Sequence, residues 1–459
     1  MDATFNVQGF IEQEKFSRFQ FMVVALCALV VLLDGFDTQA IGYVAPAIVK
    51  ALLIERSALA GVFAAGLTGL MIGALTLGPA ADRYGRKPLL VFCILFFGIF
   101  SLLTVTADTV GSLMMFRFVA GLGLGGAMPN AIALTAEYTP HRIRTTTVMV
   151  MFCGFSLGAA LGGVAAASLI AHFGWKSVFV IGGVAPLLAF IVLLALLPES
   201  IRYLTLKGGQ EAKIAAILGR IKPGVAIPAR PRFVVDEHKD EGFMVGQLFK
   251  QGRALMTVLL WLVFFMSLLE LYFLSSWLPL MLHDSGVAFG SSVMITAMLQ
   301  VGGVVGTLAL GRIFDRHAPF KALGWVYLGA AAFVFLISLV VSSVPLLFVT
   351  VFGAGFCVVG AQGAANALTA GSYPTAIRST GTGWALGIGR LGSITGPVIG
   401  GALLAMHWPF TQIFMVASLP VLVAACAAFL IFLQRREQHQ SLGAVTSLVA
   451  ARAAEHVAR

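Results

Sequence analysis

Between Phe19 and Leu433 apolar runs follow one another with little interruption, and most are 20 residues or longer. Each is long enough to cross a ~30 Å hydrocarbon core as an α-helix. Twelve spans can be marked, at about 19–43, 57–79, 88–107, 111–135, 144–170, 175–197, 255–281, 290–311, 321–342, 345–369, 378–404 and 409–433. Only 11% of residues are charged, where a soluble domain would carry roughly a quarter. The expected fold is therefore all-α and polytopic, with twelve transmembrane helices. The opening MDATFNVQGFIEQEKF is polar with three acids, so it reads as a lead-in to span 1 and not as a secretory signal.

The net charge of +10 would suit a nucleic-acid partner if it formed one basic face, but its distribution argues otherwise. Of the 30 Lys and Arg, 25 fall on the side that holds both termini. Three (Lys50, Arg56, Lys176) fall on the other side, and two (Arg117, Arg390) lie inside spans. This positive-inside pattern places both termini and the central polar stretch in the cytoplasm of an inner membrane. Nucleic acid drops out as a partner, and the bilayer takes its place. Cys27, Cys93, Cys153, Cys357 and Cys426 are isolated in apolar runs, so neither a disulfide framework nor a metal site is expected.

The chain divides into a first six-helix bundle (1–198), a cytoplasmic linker (199–254, with the charge run DEHKDE at 236–241) and a second six-helix bundle with a tail (255–459). The tail SLGAVTSLVAARAAEHVAR reads as mobile, with an interfacial helix as the alternative. The bundles repeat each other. AIALTAEYTPHRIRTT at 131–146 aligns with ANALTAGSYPTAIRST at 365–380 at an offset of 234, and GPAADR at 78–83 aligns with GRIFDR at 311–316 at 233. Pro46 and Pro279 share the second offset. Parallel repeats of six helices are one way that secondary transporters enclose a site at the membrane midplane.

GPAADRYGRKP (78–88) has the form G-x-x-x-D-R-x-G-R-K. It resembles the signature loop of the major facilitator superfamily, in which that loop helps to latch the cytoplasmic side. The resemblance implies a cytoplasmic gate that includes Gly78, Asp82, Arg83, Gly85 and Arg86. The second copy, GRIFDRHAPFK, keeps Gly311, Asp315 and Arg316 but has lost the GRK end. Glu137-Tyr-Thr-Pro140 with Arg144, and Pro198-Glu199-Ser200-Ile201-Arg202, also match superfamily patterns and read as cytoplasmic ion-pair staples. The formal G-x-G-x-x-G at 121–126 lies inside an apolar span without a preceding strand, so it reads as close helix packing and not as a dinucleotide site.

Five ionisable residues lie within spans: Asp34, Asp37, Arg117, Glu270 and Arg390. A charge at the bilayer centre costs about 2.5–3.5 kcal/mol on insertion scales, so each is a functional candidate with an expected partner. Asp34 and Asp37 share one helix face at i, i+3, and their depth matches that of Arg117. Arg390 falls near the midplane, roughly 18 Å into span 11. Glu270 lies opposite Asp37 in the repeat. Burial and a neighbouring guanidinium act oppositely on a carboxylate, so such groups can be tuned to load and release protons, and an arginine can clamp a carboxylate bidentately.

LLDGFDTQAIGYVAP (32–46), RFVAGLGLGGAMPN (117–130), LYFLSSWLPL (271–280) and GWALGIGRLGSITGP (383–397) together resemble the aromatic acid:H+ symporter family, whose bacterial members carry 4-hydroxybenzoate, protocatechuate, benzoate and related acids. The resemblance implies that Asp34 and Asp37 are needed for proton-coupled transport, with Arg117 and Arg390 as the arginines of helices 4 and 11. Glu270 joins the proton-coupling candidates with its role open. The expected partners are a small aromatic carboxylate and protons, with the proton gradient as driving force, no cofactor, no enzymatic activity and a functional monomer. The carboxylate would meet Arg390 and Arg117, and the ring would meet Tyr272, Trp277 or Trp384. Transport of another organic anion and drug/H+ antiport are the alternatives. The exporter-type pattern G-x-x-x-G-P-x-x-G-G falls in span 11 (Gly392 to Gly401) and not in span 5, which counts against export.

Overall fold

The structure is a computed structural model that describes residues 3–225, 228, 231–234, 244–250, 252–316, 318–370, 372–373 and 378–457. The side chains of Asp82, Asp315, Arg316 and Arg378 and of residues 437–457 lie outside that description, as does the charge run at 236–241. The long helices are α1 (Arg18–Leu52), α2 (Leu59–Tyr84), α3 (Arg86–Leu103), α4 (Val110–Glu137), α5 (His141–Phe173), α6 (Lys176–Leu196), α7 (Ala254–Asp284), α8 (Phe289–Arg316), α9 (Pro319–Leu339), α10 (Val344–Ala370), α11 (Arg378–Ala405) and α12 (Phe410–Val457). All twelve contain a stretch long and apolar enough to cross a membrane. The backbone of α12 stays helical through the tail expected to be mobile.

The first helix runs past its apolar limit because its caps, and not hydropathy, end it. Span 1 was expected to stop near residue 43, but α1 continues to Leu52. It starts at a capping box, in which Ser17 Oγ accepts from Gln20 N at 3.3 Å and Gln20 Oε1 accepts from Ser17 N at 2.8 Å. It ends at Leu53 in the left-handed conformation (φ 51°). The start of α1, the end of the α12 span (Arg436) and the α2–α3 and α4–α5 turns lie on one face, the termini face. A parallel pair of short strands, Ala3–Asn6 and Pro231–Val234, sits beside the first bundle with the short helices Val7–Gln13, Ile201–Lys207 and Glu211–Ile221.

The packing repeats as the sequence does. α1 packs on α5 as α7 packs on α11, α2 on α4 as α8 on α10, and α3 on α6 as α9 on α12. The bundles meet through α1 with α7, α5 with α8, and α2 with α11. Contacts of all three pairs lie near the far face, opposite the termini. Gly42 of α1 lies against the Ser275 carbonyl of α7, Gly163 of α5 against Ala297 of α8, and Gly401 of α11 against Ala60 of α2. An ion pair joins Arg56 Nε to Asp284 Oδ2 at 2.8 Å, and the Phe63 and Trp277 rings meet edge-on at 5.1 Å. The far face is closed. Small residues allow this, because backbones can approach where no side chain intervenes.

Gly42→Val would drive a side chain into the Ser275 carbonyl, an overpacking cost of about 1–3 kcal/mol. The expected outcome is a lower unfolding temperature of the detergent-purified protein. Gly290→Val, at a position with no atom within 4 Å of the added Cβ, should leave it unchanged.

Candidate functional site

The two aspartates of α1 face the interior because Gly35, between them, faces α5: a Cβ at Gly35 would strike the Phe155 carbonyl. Asp37 is 0% exposed and Arg117 of α4 is 3% exposed. They form a two-pronged pair, Arg117 Nη2 to Asp37 Oδ2 at 2.6 Å and Arg117 Nη1 to Oδ1 at 3.1 Å. Ser101 Oγ of α3 donates to Asp37 Oδ1 at 2.6 Å. The Arg117 guanidinium lies 5.5 Å from the centroid of the Phe179 ring of α6, a cation–π distance. Asp37 is thus fully engaged inside the first bundle.

Asp34 is held differently. Its Oδ1 accepts from Thr38 Oγ1 at 3.0 Å, and it lies within electrostatic range of Arg390 on α11. The Arg390 guanidinium is itself held lightly, with Nη1 3.4 Å from Tyr272 Oη of α7 and Nη2 4.0 Å from Met128 Sδ of α4. No described carboxylate comes within 4.0 Å of it. The two arginines therefore differ: Arg117 is committed to a carboxylate and Arg390 is not. A cavity of about 30 Å³ adjoins the site; its lining is mostly apolar, with Val62, Phe63 and Leu67 beside the polar Gln39, Arg117 and Ser275.

Asp34, Asp37, Arg117, Arg390 and Tyr272 thus gather in one region, while three other expected site residues stand apart. Glu270 is 0% exposed, and neither carboxyl oxygen has a hydrogen-bond partner among the described residues. Trp277 is fully buried, its Nε1 donates to the Pro397 carbonyl at 2.9 Å, and its ring packs on Phe63. That ring has no face open to a ligand. Trp384 stacks on Trp261 at 5.6 Å, nearer the termini face and 43% exposed. The glycine pattern of span 11 is accounted for by packing: Gly392 and Gly396 lie on the Phe265 and Leu269 carbonyls of α7, and Gly400 on Trp277.

At the termini face Arg86 Nε pairs with Glu137 Oε1 at 2.8 Å, and Ser200 Oγ donates to Glu137 Oε2 at 2.5 Å. Gly85 (φ 101°) turns the chain so that Arg86 N and Lys87 N both donate to Glu199 Oε1, at 2.9 and 3.1 Å. Glu199 thereby caps α3 where a carboxylate best complements the helix dipole. Arg144 pairs with Glu12 of the N-terminal segment at 3.3 Å, and not with Glu137. Arg83 Cζ lies over the Tyr84 ring, and Gly78 lies near Pro129. All these partners belong to the first bundle and its flanking segments. Sequence reasoning missed Thr38, Ser101, Phe179, Met128 and Glu12. Thr38 could have been found, since it stands one turn after Asp34; the others carry no local signal.

Comparison with known proteins agrees with this architecture. The Major Facilitator Superfamily profile matches residues 27–342 and 260–455. The 4-hydroxybenzoate transporter PcaK of Pseudomonas aeruginosa is 42% identical over 426 residues, 93% of this chain and 95% of that protein. The chain belongs to the major facilitator superfamily, in its aromatic acid:H+ symporter family. A gallate transporter of Pseudomonas putida is 41% identical over 93% of this chain and 95% of its own. Among solved structures, the xylose transporter XylE of E. coli in a partially occluded inward-open conformation superposes with a TM-score of 0.66 at 17% identity, covering 91% of this chain and 97% of that one. This member of the family is a multi-pass membrane protein and a transporter, not an enzyme.

Removing one partner of a buried ion pair leaves the other charge stranded, at about 3–5 kcal/mol. Arg117→Ala is therefore expected to destabilise the protein severely, and Asp37→Asn combined with Arg117→Met to regain much of that loss. Thermal unfolding of the three purified proteins checks this.

Proposed function

We propose that this chain imports a small aromatic carboxylate, of the hydroxybenzoate, protocatechuate or benzoate class, by proton symport with alternating access. It works as a monomer in a bacterial inner membrane with both termini cytoplasmic, so the termini face is the cytoplasmic side and the closed far face the outside. The proton gradient drives it without a cofactor. The observation that carries this reading is Arg390, a guanidinium in the helical interior with a hydroxyl beside it and no described carboxylate within 4.0 Å. A monoanionic acid fits there, its carboxylate on Arg390 and Tyr272. The names of the relatives, carriers of 4-hydroxybenzoate and gallate, support the substrate class.

Coupling follows from competition for charge. An ionised Asp34 competes with the substrate for Arg390, and a proton on Asp34 ends that competition, so proton and acid load together. Asp37 and Arg117 form a second, tighter pair that opens only when Asp37 takes a proton, which would release Arg117 toward the ligand. Glu270 is a third proton-coupling candidate, since no described group compensates a negative charge there. The gate of this cycle comprises Gly78, Asp82, Arg83, Gly85, Arg86, Glu137 and Arg144, with Asp315 and Arg316 in the second copy. The Trp384 ring, stacked on Trp261, lines the substrate's way to the cytoplasm.

Cells expressing the chain should accumulate labelled 4-hydroxybenzoate or protocatechuate saturably, and a protonophore should abolish the accumulation. Asp34→Asn and Asp37→Asn should each abolish uphill uptake. Uphill uptake retained in both variants would overturn the coupling, and lowered cellular content of the acid would indicate export instead. Arg390→Lys loses the two-pronged geometry, and the half-saturation concentration should rise about tenfold, as for loss of one charge-assisted hydrogen bond of about 1.5 kcal/mol.

A further inference from the structure

The cavity beside the charged site has two features that ion pairing leaves unexplained. Gln39 and Ser275 both line it, and each is only 3% exposed. Gln39 Nε2 and Ser275 Oγ have no hydrogen-bond partner among the described residues. Buried polar atoms are normally satisfied, and an orphan costs about 1–3 kcal/mol. Two at one cavity mark a place built for a polar guest. About 30 Å³ admits a water or a hydroxyl group but not an aromatic ring.

The position of the cavity says which hydroxyl. Gln39 and Ser275 lie at matching depth, each roughly 31 Å along its helix from the termini face, and the Gly42–Ser275 approach brings α1 and α7 together there. Tyr272, which contacts Arg390, stands one turn before Ser275 on the same face of α7 and also lines the cavity. Arg390 is only roughly 18 Å along α11 from the same side. A benzoate with its carboxylate at Arg390 and Tyr272, its long axis toward the far face, therefore carries its para substituent toward Gln39 and Ser275.

We infer that Gln39 and Ser275 form the subsite for a ring hydroxyl para to the carboxylate, and so set the preference for hydroxylated over unsubstituted aromatic acids. Gln39 Nε2 donates to the phenolic oxygen, and the phenolic O–H donates to Ser275 Oγ. A site built to bond a hydroxyl discriminates strongly against an analogue lacking it, because its own polar groups are then left unpaired. This rests on the aromatic-acid reading above.

The test is uptake of labelled benzoate and labelled 4-hydroxybenzoate, side by side, by the wild type, Gln39→Leu and Ser275→Ala. Each variant should raise the half-saturation concentration for 4-hydroxybenzoate at least tenfold and leave that for benzoate within twofold or lower it. Benzoate transport in the same membranes doubles as the folding control. An equal loss for both acids, or none for the hydroxylated one, overturns the subsite. Should both variants fail to transport either acid, binding of the two acids to the purified Ser275→Ala protein decides by the same ratio. A wild type that transports benzoate but not 4-hydroxybenzoate overturns the subsite alone, and a membrane-inserted wild type that transports neither overturns the aromatic-acid reading with it.

Discussion

A charge inside a hydrocarbon-spanning fold must be compensated by protein, since no water is there to do it. Asp37 is where this constraint shapes the first bundle. Its carboxylate is met by Arg117 from α4 and Ser101 from α3, and Arg117 in turn rests on Phe179 from α6. Four helices thus converge on one carboxylate. The charge of Asp37 is neutralised within the first bundle itself. Asp34, three residues earlier, is left to an electrostatic partner on the other bundle, Arg390. One pair holds a bundle together and the other faces the gap between bundles.

Closure of the far face uses different physics. Three glycines, Gly42, Gly163 and Gly401, let the bundles touch at α1–α7, α5–α8 and α2–α11, and one exposed ion pair, Arg56 with Asp284, lies across the top. An exposed pair is worth about 0–1 kcal/mol, so the seal depends on close van der Waals contact. Such contact forfeits about a quarter to a half of its attraction when surfaces part by 0.5–1 Å. The described groups of the termini-face network, Arg86, Glu137, Ser200 and Glu199, all bond inside the first bundle. None of these bonds reaches the second bundle.

Much of this is legible in the sequence. The twelve spans follow from apolar length, and the equivalence of the two bundles follows from the repeat. The carboxylates of D-G-x-D stand out because insertion scales penalise them. The same reading could match Arg117 to the aspartates only by depth. It could not say that Arg117 takes Asp37 and leaves Arg390 open, because that choice depends on helix rotation, which apolar periodicity in a fully apolar span does not encode. Trp277 looked like a ring platform since aromatic residues serve both binding and packing; here its indole N–H donates to the Pro397 carbonyl and its ring packs on Phe63. The helix ends were misjudged at Leu52 because the apolar pattern marks the lipid and the left-handed Leu53 marks the stop.

The repeat also explains why the charges are not symmetric. Equivalent glycines fix the register in space: Gly121 lies on the Gly66 carbonyl as Gly355 lies on that of Leu299, and Gly158 on Leu32 as Gly392 on Phe265. In that register Asp37 corresponds to Glu270, but Arg117 corresponds to Val351, Asp34 to Ser267 and Arg390 to Ser156. The second bundle retains one acid without the arginine that neutralises its counterpart, which is why Glu270 stands without a partner among the described residues. The first bundle has a serine where the second has its open arginine. Two copies of one scaffold have thus divided the charges, with the acids of α1 on one side of the interface and the uncommitted guanidinium on the other. In the proposed symport cycle, a substrate carboxylate at Arg390 would lie between the two halves, and a proton on Asp34 would leave that arginine to the anion.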